Sequence, residues 1–182
     1  MVRPRRLDDD ALLERVADAL QQRSSLTPWT LAEIAGQVGL SPAGLLKRFG
    51  SRRGVLLALS RRWIDSVPVA LVGQQPAEDE LRAWVSQRFA HAGTHGVARG
   101  LVDLLGDLAD EELRAHLAEG WAKEMTYLAA LLHQMNPPRL NDANRGARLL
   151  FDALNGAMFR HAARLPPLTP TSVLDDFLET WT

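Results

Sequence analysis

At 182 residues the chain is long enough for one large domain or two small ones and can bury a sizeable core. Hydrophobic residues make up 46% and charged residues 24%, which excludes a disordered chain, and the absence of cysteine excludes a disulfide framework or a thiolate zinc site. The net charge of −1 hides an asymmetry: residues 1–62 hold 11 Lys and Arg against 6 Asp and Glu, a net of +5, and the remainder holds 10 against 16, a net of −6. A basic third on an acidic remainder suits a protein that turns one end toward phosphates. No apolar run approaches the roughly 18 to 20 residues of a membrane span, and the first ten residues are charged throughout, so the cytoplasm is the expected location.

Arg3, Arg5 and Arg6 form a basic arm, which reads first as a solvated end and second as a minor-groove contact. Leu7 to Arg23 follows as an amphipathic helix with Leu12, Leu13, Val16, Ala17 and Leu20 on one face and Asp8, Asp9 and Asp10 at its positive end. Thr30 and Glu33 have capping-box spacing, so a second helix starts there. Leu31, Ile34, Ala35 and Val38 continue it at helical spacing until Gly39 supplies the turn. Ser41 and Pro42 restart the chain as N-cap and first helical residue, and a helix of about two turns runs to Arg48. Ala35, Gly39 and Leu45, at offsets of four and then six, have helix-turn-helix spacing, in which two small residues permit a steep crossing and the leucine plugs it. An ordinary helical hairpin shares that spacing. What favours DNA is charge: from Ser41 to Arg62 the chain carries Lys47, Arg48, Arg52, Arg53, Arg61 and Arg62 and no acid.

From about Leu12 to Leu59 the chain resembles the DNA-binding domain of the TetR family of bacterial transcriptional regulators. The resemblance is carried by the amphipathic first helix, Thr30, Glu33-Ile34-Ala35, Val38-Gly39-Leu40-Ser41, Leu45, Phe49, and Ser51-Arg52-Arg53 before Leu56-Leu57. Where the family usually shows Gly-Thr-Leu-Tyr, this chain has Ala43-Gly44-Leu45-Leu46, so Leu46 stands where a phosphate-contacting tyrosine is common. The resemblance implies an all-α protein of about nine helices, with a three-helix DNA-binding domain over 1–67 and an effector-binding and dimerisation domain over 68–182. It implies double-stranded operator DNA, a small apolar effector and a second copy of the chain as partners.

The DNA contacts expected on these grounds are Thr30, Ser41, Pro42, Ala43, Gly44, Leu46, Lys47, Arg48, Arg52 and Arg53. Lys47 can donate to guanine, Ala43 and Leu46 can touch a thymine methyl, and Pro42, Ala43 and Gly44 have no polar side chain for a base edge. Arg52 and Arg53 occupy the first turn of a helix that Ser51 caps and Pro68 ends, a position unfavourable for cations unless they face an anion.

Pro68, Gly73 and Pro76 mark the domain boundary, and every later segment reads as helix: Pro76 to Ala92, Val97 to Leu108, Asp110 to Met135, Asn141 to Leu165 and Thr169 onward. Trp84, Phe89, Leu101, Leu105, Trp121, Met125, Leu128, Leu154 and Met158 are candidates for an apolar effector pocket, although core packing explains each of them singly. The helix from Asn141 is apolar on two sides. Its stripe of Leu149, Ala153, Gly156 and Arg160, with Leu174, Phe177, Leu178 and Trp181 of the last helix, is a candidate dimer face; burial within one subunit is the alternative.

Little points to catalysis. His91 and His95 are four apart without a third ligand and across Gly93-Thr94, while His116, His133 and His161 are isolated. No phosphate-cradling loop or nucleophile motif occurs, so neither an enzyme nor a cofactor nor a metal is expected. The expected function is that of a dimeric transcriptional regulator, a repressor released by its effector. The alternative is a lipid-binding protein that keeps the fold without binding DNA.

Overall fold

The computed structural model describes residues 8–23, 27–69, 75–90, 92, 105–106, 108–162 and 169–182. Among them the protein is all-α, with eight helices and no strand. The helix expected over 97–108 lies largely outside the described residues.

Helix α1 (Asp9–Gln22) carries Asp9 and Asp10 in its first turn, where the helix dipole favours them, and buries Leu12, Leu13, Val16 and Ala19. Helix α2 (Leu31–Ala35) begins where Thr30 Oγ1 accepts the Glu33 N–H at 3.2 Å. It ends at Ala35, four residues short of the Gly39 that the apolar spacing suggests. Residues 36–40 turn instead, with Val38 N–H reaching the Ile34 carbonyl at 3.2 Å and Leu40 N–H the Ala35 carbonyl at 3.0 Å. Val38 is buried either way, which is why spacing alone could not separate a turn from a helix. Gly39 has φ of 75°, the left-handed conformation that only glycine adopts cheaply.

Helix α3 (Pro42–Phe49) is opened by Ser41, whose Oγ accepts the Gly44 N–H at 3.1 Å. Helix α4 (Arg52–Ser66) is opened by Ser51 in the same way, from Gly54 N–H at 3.0 Å. Leu12, Val16, Ile34, Ala35, Leu45 and Val55 meet in one core, so α3 is pinned by Leu45 against α1, α2 and α4.

Helices α5 (Ala77–Arg88), α6 (Glu111–Met135), α7 (Ala143–Ala162) and α8 (Pro170–Trp181) enclose a second core around Leu81, Val85, Leu128, Leu131, Leu150, Leu154 and Leu174. Asp110 caps α6 by accepting the Glu112 and Leu113 N–H groups, and Asp142, one residue beyond the expected Asn141, caps α7. None of the described helices is long and apolar enough to cross a membrane.

The candidate dimer face needs correction on α8. Leu174, Leu178 and Trp181 are buried in the chain's own second core, and the half-buried Phe177 stacks edge-on against Trp181 at 4.9 Å. The stripe is amphipathic because it packs on α5 and α7 of the same chain. On α7, Leu149 is 47% exposed, Ala153 and Gly156 are half-buried and Arg160 is exposed, so this stripe alone remains open to a partner.

Candidate nucleic-acid interface

Helix α3 is held with one side in the core and the other in solvent. Leu45 is buried and Phe49 half-buried; Ser41, Pro42, Ala43, Leu46 and Lys47 are exposed, with Leu46 at 51%. Gly44 lies on the flank, close beneath the Ser41 hydroxyl. Thr30, at the start of α2, is exposed as well. The helix pair therefore leaves Thr30, at the start of α2, and Ser41, Pro42, Ala43, Leu46 and Lys47, along α3, accessible.

The arginines are placed differently. Arg48 Nε lies 2.6 Å from Asp9 of α1, and Arg62 Nε lies 2.7 Å from Asp10. Arg53 forms a fork on Asp110 at 2.5 and 2.9 Å and also reaches Glu112 at 2.8 Å. Arg61 spans Glu119 and the His116 ring. Arg52 lies over the Trp29 ring, 4.9 Å from its centroid. The acid-free run in the sequence is thus lined with acids in space. Arg48 and Arg53, two of the expected DNA contacts, are turned toward carboxylates of the same chain, and Arg52, a third, is stacked on Trp29.

The missed carboxylates join the two cores. Along α4, Arg53 meets the start of α6, Arg61 meets its second and third turns at His116 and Glu119, and Lys123 Nζ donates to the Ile64 carbonyl at 2.7 Å. His116, isolated in sequence, meets Ser60 Oγ at 2.7 Å and Arg61 at 2.9 Å. The Trp63 ring rests on Gly120, where an added Cβ would lie 2.2 Å from ring carbon Cη2. Its Nε1–H donates to Glu124 at 3.3 Å, and Arg88 of α5 donates to the same oxygen at 2.6 Å. Glu124 is only 1% exposed, so one buried carboxylate ties α4, α5 and α6 together. In the sequence, Leu56, Leu57, Leu59, Trp63 and Ile64 of α4 are what point to a junction with the second half.

Asp110 is held well below the ordinary carboxylate range, at about 2, first by the Arg53 hydrogen bond and then by the Leu113 amide. A carboxylate lowered in this way contributes stability that is full above its ordinary value near 3.8 and is lost as pH falls through about 2. Asp110→Asn, which keeps a capping oxygen, should therefore unfold at a lower temperature than the wild type near neutral pH. The gap should close between about pH 4 and pH 2. Melting curves across that range check it, and a gap that persists at the acid end would contradict the assignment.

The effector-pocket candidates divide. Leu128 and Leu154 are fully buried, and Trp84, Trp121, Met125 and Met158 pack against the second core; Trp84 lies 6.4 Å from the Phe89 ring and 6.3 Å from Tyr127. Leu105 is exposed, and Leu101 lies outside the described residues, as do His91 and His95. A cleft of about 180 Å³ opens between α5, α7 and the start of α8, walled by Val85, Phe89, Ala92 and Pro170 with Ser86, His161, Thr169 and Thr171. Phe89 is the one candidate on that wall. Leu128, Leu154, Trp84, Trp121, Met125 and Met158 are core residues first. Among the described residues no group of three His, Cys, Asp or Glu side chains could hold a metal ion. No protein-family model matches the chain, and no curated protein is similar to it.

Proposed function

We propose that the chain is a DNA-binding transcriptional regulator of the kind the TetR family resemblance implies, cytoplasmic and non-enzymatic. It would act as a homodimeric repressor on a palindromic operator and leave it when a small apolar effector binds. The observation that carries the reading is the presentation of α3: a short helix capped by Ser41, set off by a left-handed Gly39, plugged into the core by Leu45 and exposed along Pro42, Ala43, Leu46 and Lys47. A helix entering the major groove needs this exposure and this anchoring. The partly exposed stripe of Leu149, Ala153, Gly156 and Arg160 on α7 is the surface offered to a second copy.

The second reading, lipid binding without DNA, is favoured by one observation. Arg48, Arg53, Arg61 and Arg62 all face carboxylates of their own chain. Exposed pairs of this kind are worth only about 0 to 1 kcal/mol each, so a phosphate can compete for Arg48 and Arg62, whose partners Asp9 and Asp10 are mostly exposed. On that ground DNA binding ranks first.

Fluorescence anisotropy with mixed-sequence duplex DNA at 50 and 200 mM salt tests the choice. Regulator binding should weaken as salt rises, and Lys47→Ala should weaken it further. Absence of binding at low salt, together with lipid that co-purifies with the folded protein, would establish the second reading instead.

A further inference from the structure

The side chains that read purine edges by paired hydrogen bonds are arginine or lysine for guanine and asparagine or glutamine for adenine. The outward face of α3 carries only one of them, Lys47. Its one guanidinium, Arg48, sits on the flank and is engaged with Asp9 at 2.6 Å. What the face offers is apolar surface on Pro42, Ala43 and Leu46, and the single ammonium of Lys47. Leu46 is one of four large hydrophobic side chains exposed among the described residues, and the chain itself supplies no cover for it. A lone exposed leucine is ordinary; one flanked on the same helix face by exposed Ala43 and Pro42, with a cation beside them, forms a small apolar patch with a charged edge.

In the major groove the apolar feature on a base edge is the methyl group at C5 of a pyrimidine. We propose that this helix selects duplex DNA by C5-methylated pyrimidines, with Leu46 and Ala43 as the contacting residues and Lys47 as the neighbouring donor. The inference rests on the reading that α3 enters the major groove. Thymine and 5-methylcytosine both present that methyl group, and duplex DNA is the committed partner because the ammonium at the patch edge suits a phosphate or a guanine.

The test uses the full chain and random duplex pools taken through repeated rounds of capture. One pool contains thymine, a second uracil in its place, and a third uracil together with 5-methylcytosine in place of cytosine. The thymine pool should converge on sites with thymine under the helix, and the same sites made with uracil should bind about fourfold more weakly per lost methyl, about fifteenfold for a two-fold symmetric site. The third pool should recover affinity at sites where 5-methylcytosine supplies the methyl, which separates the two sources. Leu46→Ala should abolish the difference between thymine and uracil, and Lys47→Ala should keep it while weakening both. Equal convergence of the thymine and uracil pools with equal affinity would overturn the inference and leave the regulator reading intact. Failure of every pool to converge, with the helical circular dichroism of the chain preserved, would remove the regulator reading and this inference with it.

Discussion

Glu124→Ala is expected to lower the free energy of unfolding by about 3 kcal/mol, the lower end of what breaking a buried ion pair costs. The carboxylate is almost fully buried and takes Arg88 Nε at 2.6 Å and the Trp63 indole N–H at 3.3 Å. Its removal leaves a guanidinium without a counter-charge and an indole N–H without an acceptor, in a place where the Arg88 side chain is 28% exposed to water. That partial access is why the lower end of the range applies. Glu119→Ala, which removes an exposed partner of Arg61, should cost about 1 kcal/mol or less. Urea titrations of both variants provide the comparison: a shifted midpoint with an unchanged slope for Glu124→Ala, and near coincidence with the wild type for Glu119→Ala. Equal shifts would mean that Arg88 finds water when its partner leaves.

A second large effect is expected at Gly54. An alanine there would place its Cβ 1.8 Å from the Phe49 carbonyl oxygen and 3.0 Å from the carbonyl carbon, both of them backbone atoms. A side chain could rotate away from such a contact; the end of α3 can only move bodily. Destabilisation of about 3 kcal/mol follows, the upper end of the usual range for overpacking. Because the displaced segment is the helix proposed to read DNA, duplex affinity should fall by more than the loss of folded protein explains. Gly36→Ala supplies the control: its φ of −63° is open to alanine and nothing lies within 4 Å of the added carbon, so its midpoint should stay level or rise slightly. If Gly54→Ala melts with the wild type, the junction between α3 and α4 is looser than its geometry implies.

The local architecture was legible because its signals are local. Thr30, Ser41, Ser51, Asp110 and Thr169 each cap a helix through an N–H two or three residues ahead, and Gly39 turns where its neighbours demand a left-handed residue. The arginines were not legible in this way. Arg53, Arg61 and Arg62 meet acids 52 to 59 residues distant, so a run without acids in sequence says nothing of the acids that folding brings to it. The last helix shows a related ambiguity: the spacing of Leu174, Leu178 and Trp181 declares an apolar side, but what covers that side is decided by the packing of α5 and α7. Glu124 carried no signal at all. In a helix with several carboxylates, only the arrival of Trp63 and Arg88 distinguishes it.

Helix α4 runs from the first core to α6, since Val55 is buried in that core while the Trp63 ring rests on Gly120 and the Ile64 carbonyl accepts from Lys123. A cut after residue 67 would therefore not release a self-sufficient unit: the severed piece would carry an uncovered indole near its end, and Arg53 and Arg61 would lose their counter-ions together. Moving this part onto another protein means transplanting the facing surface of α6 along with it.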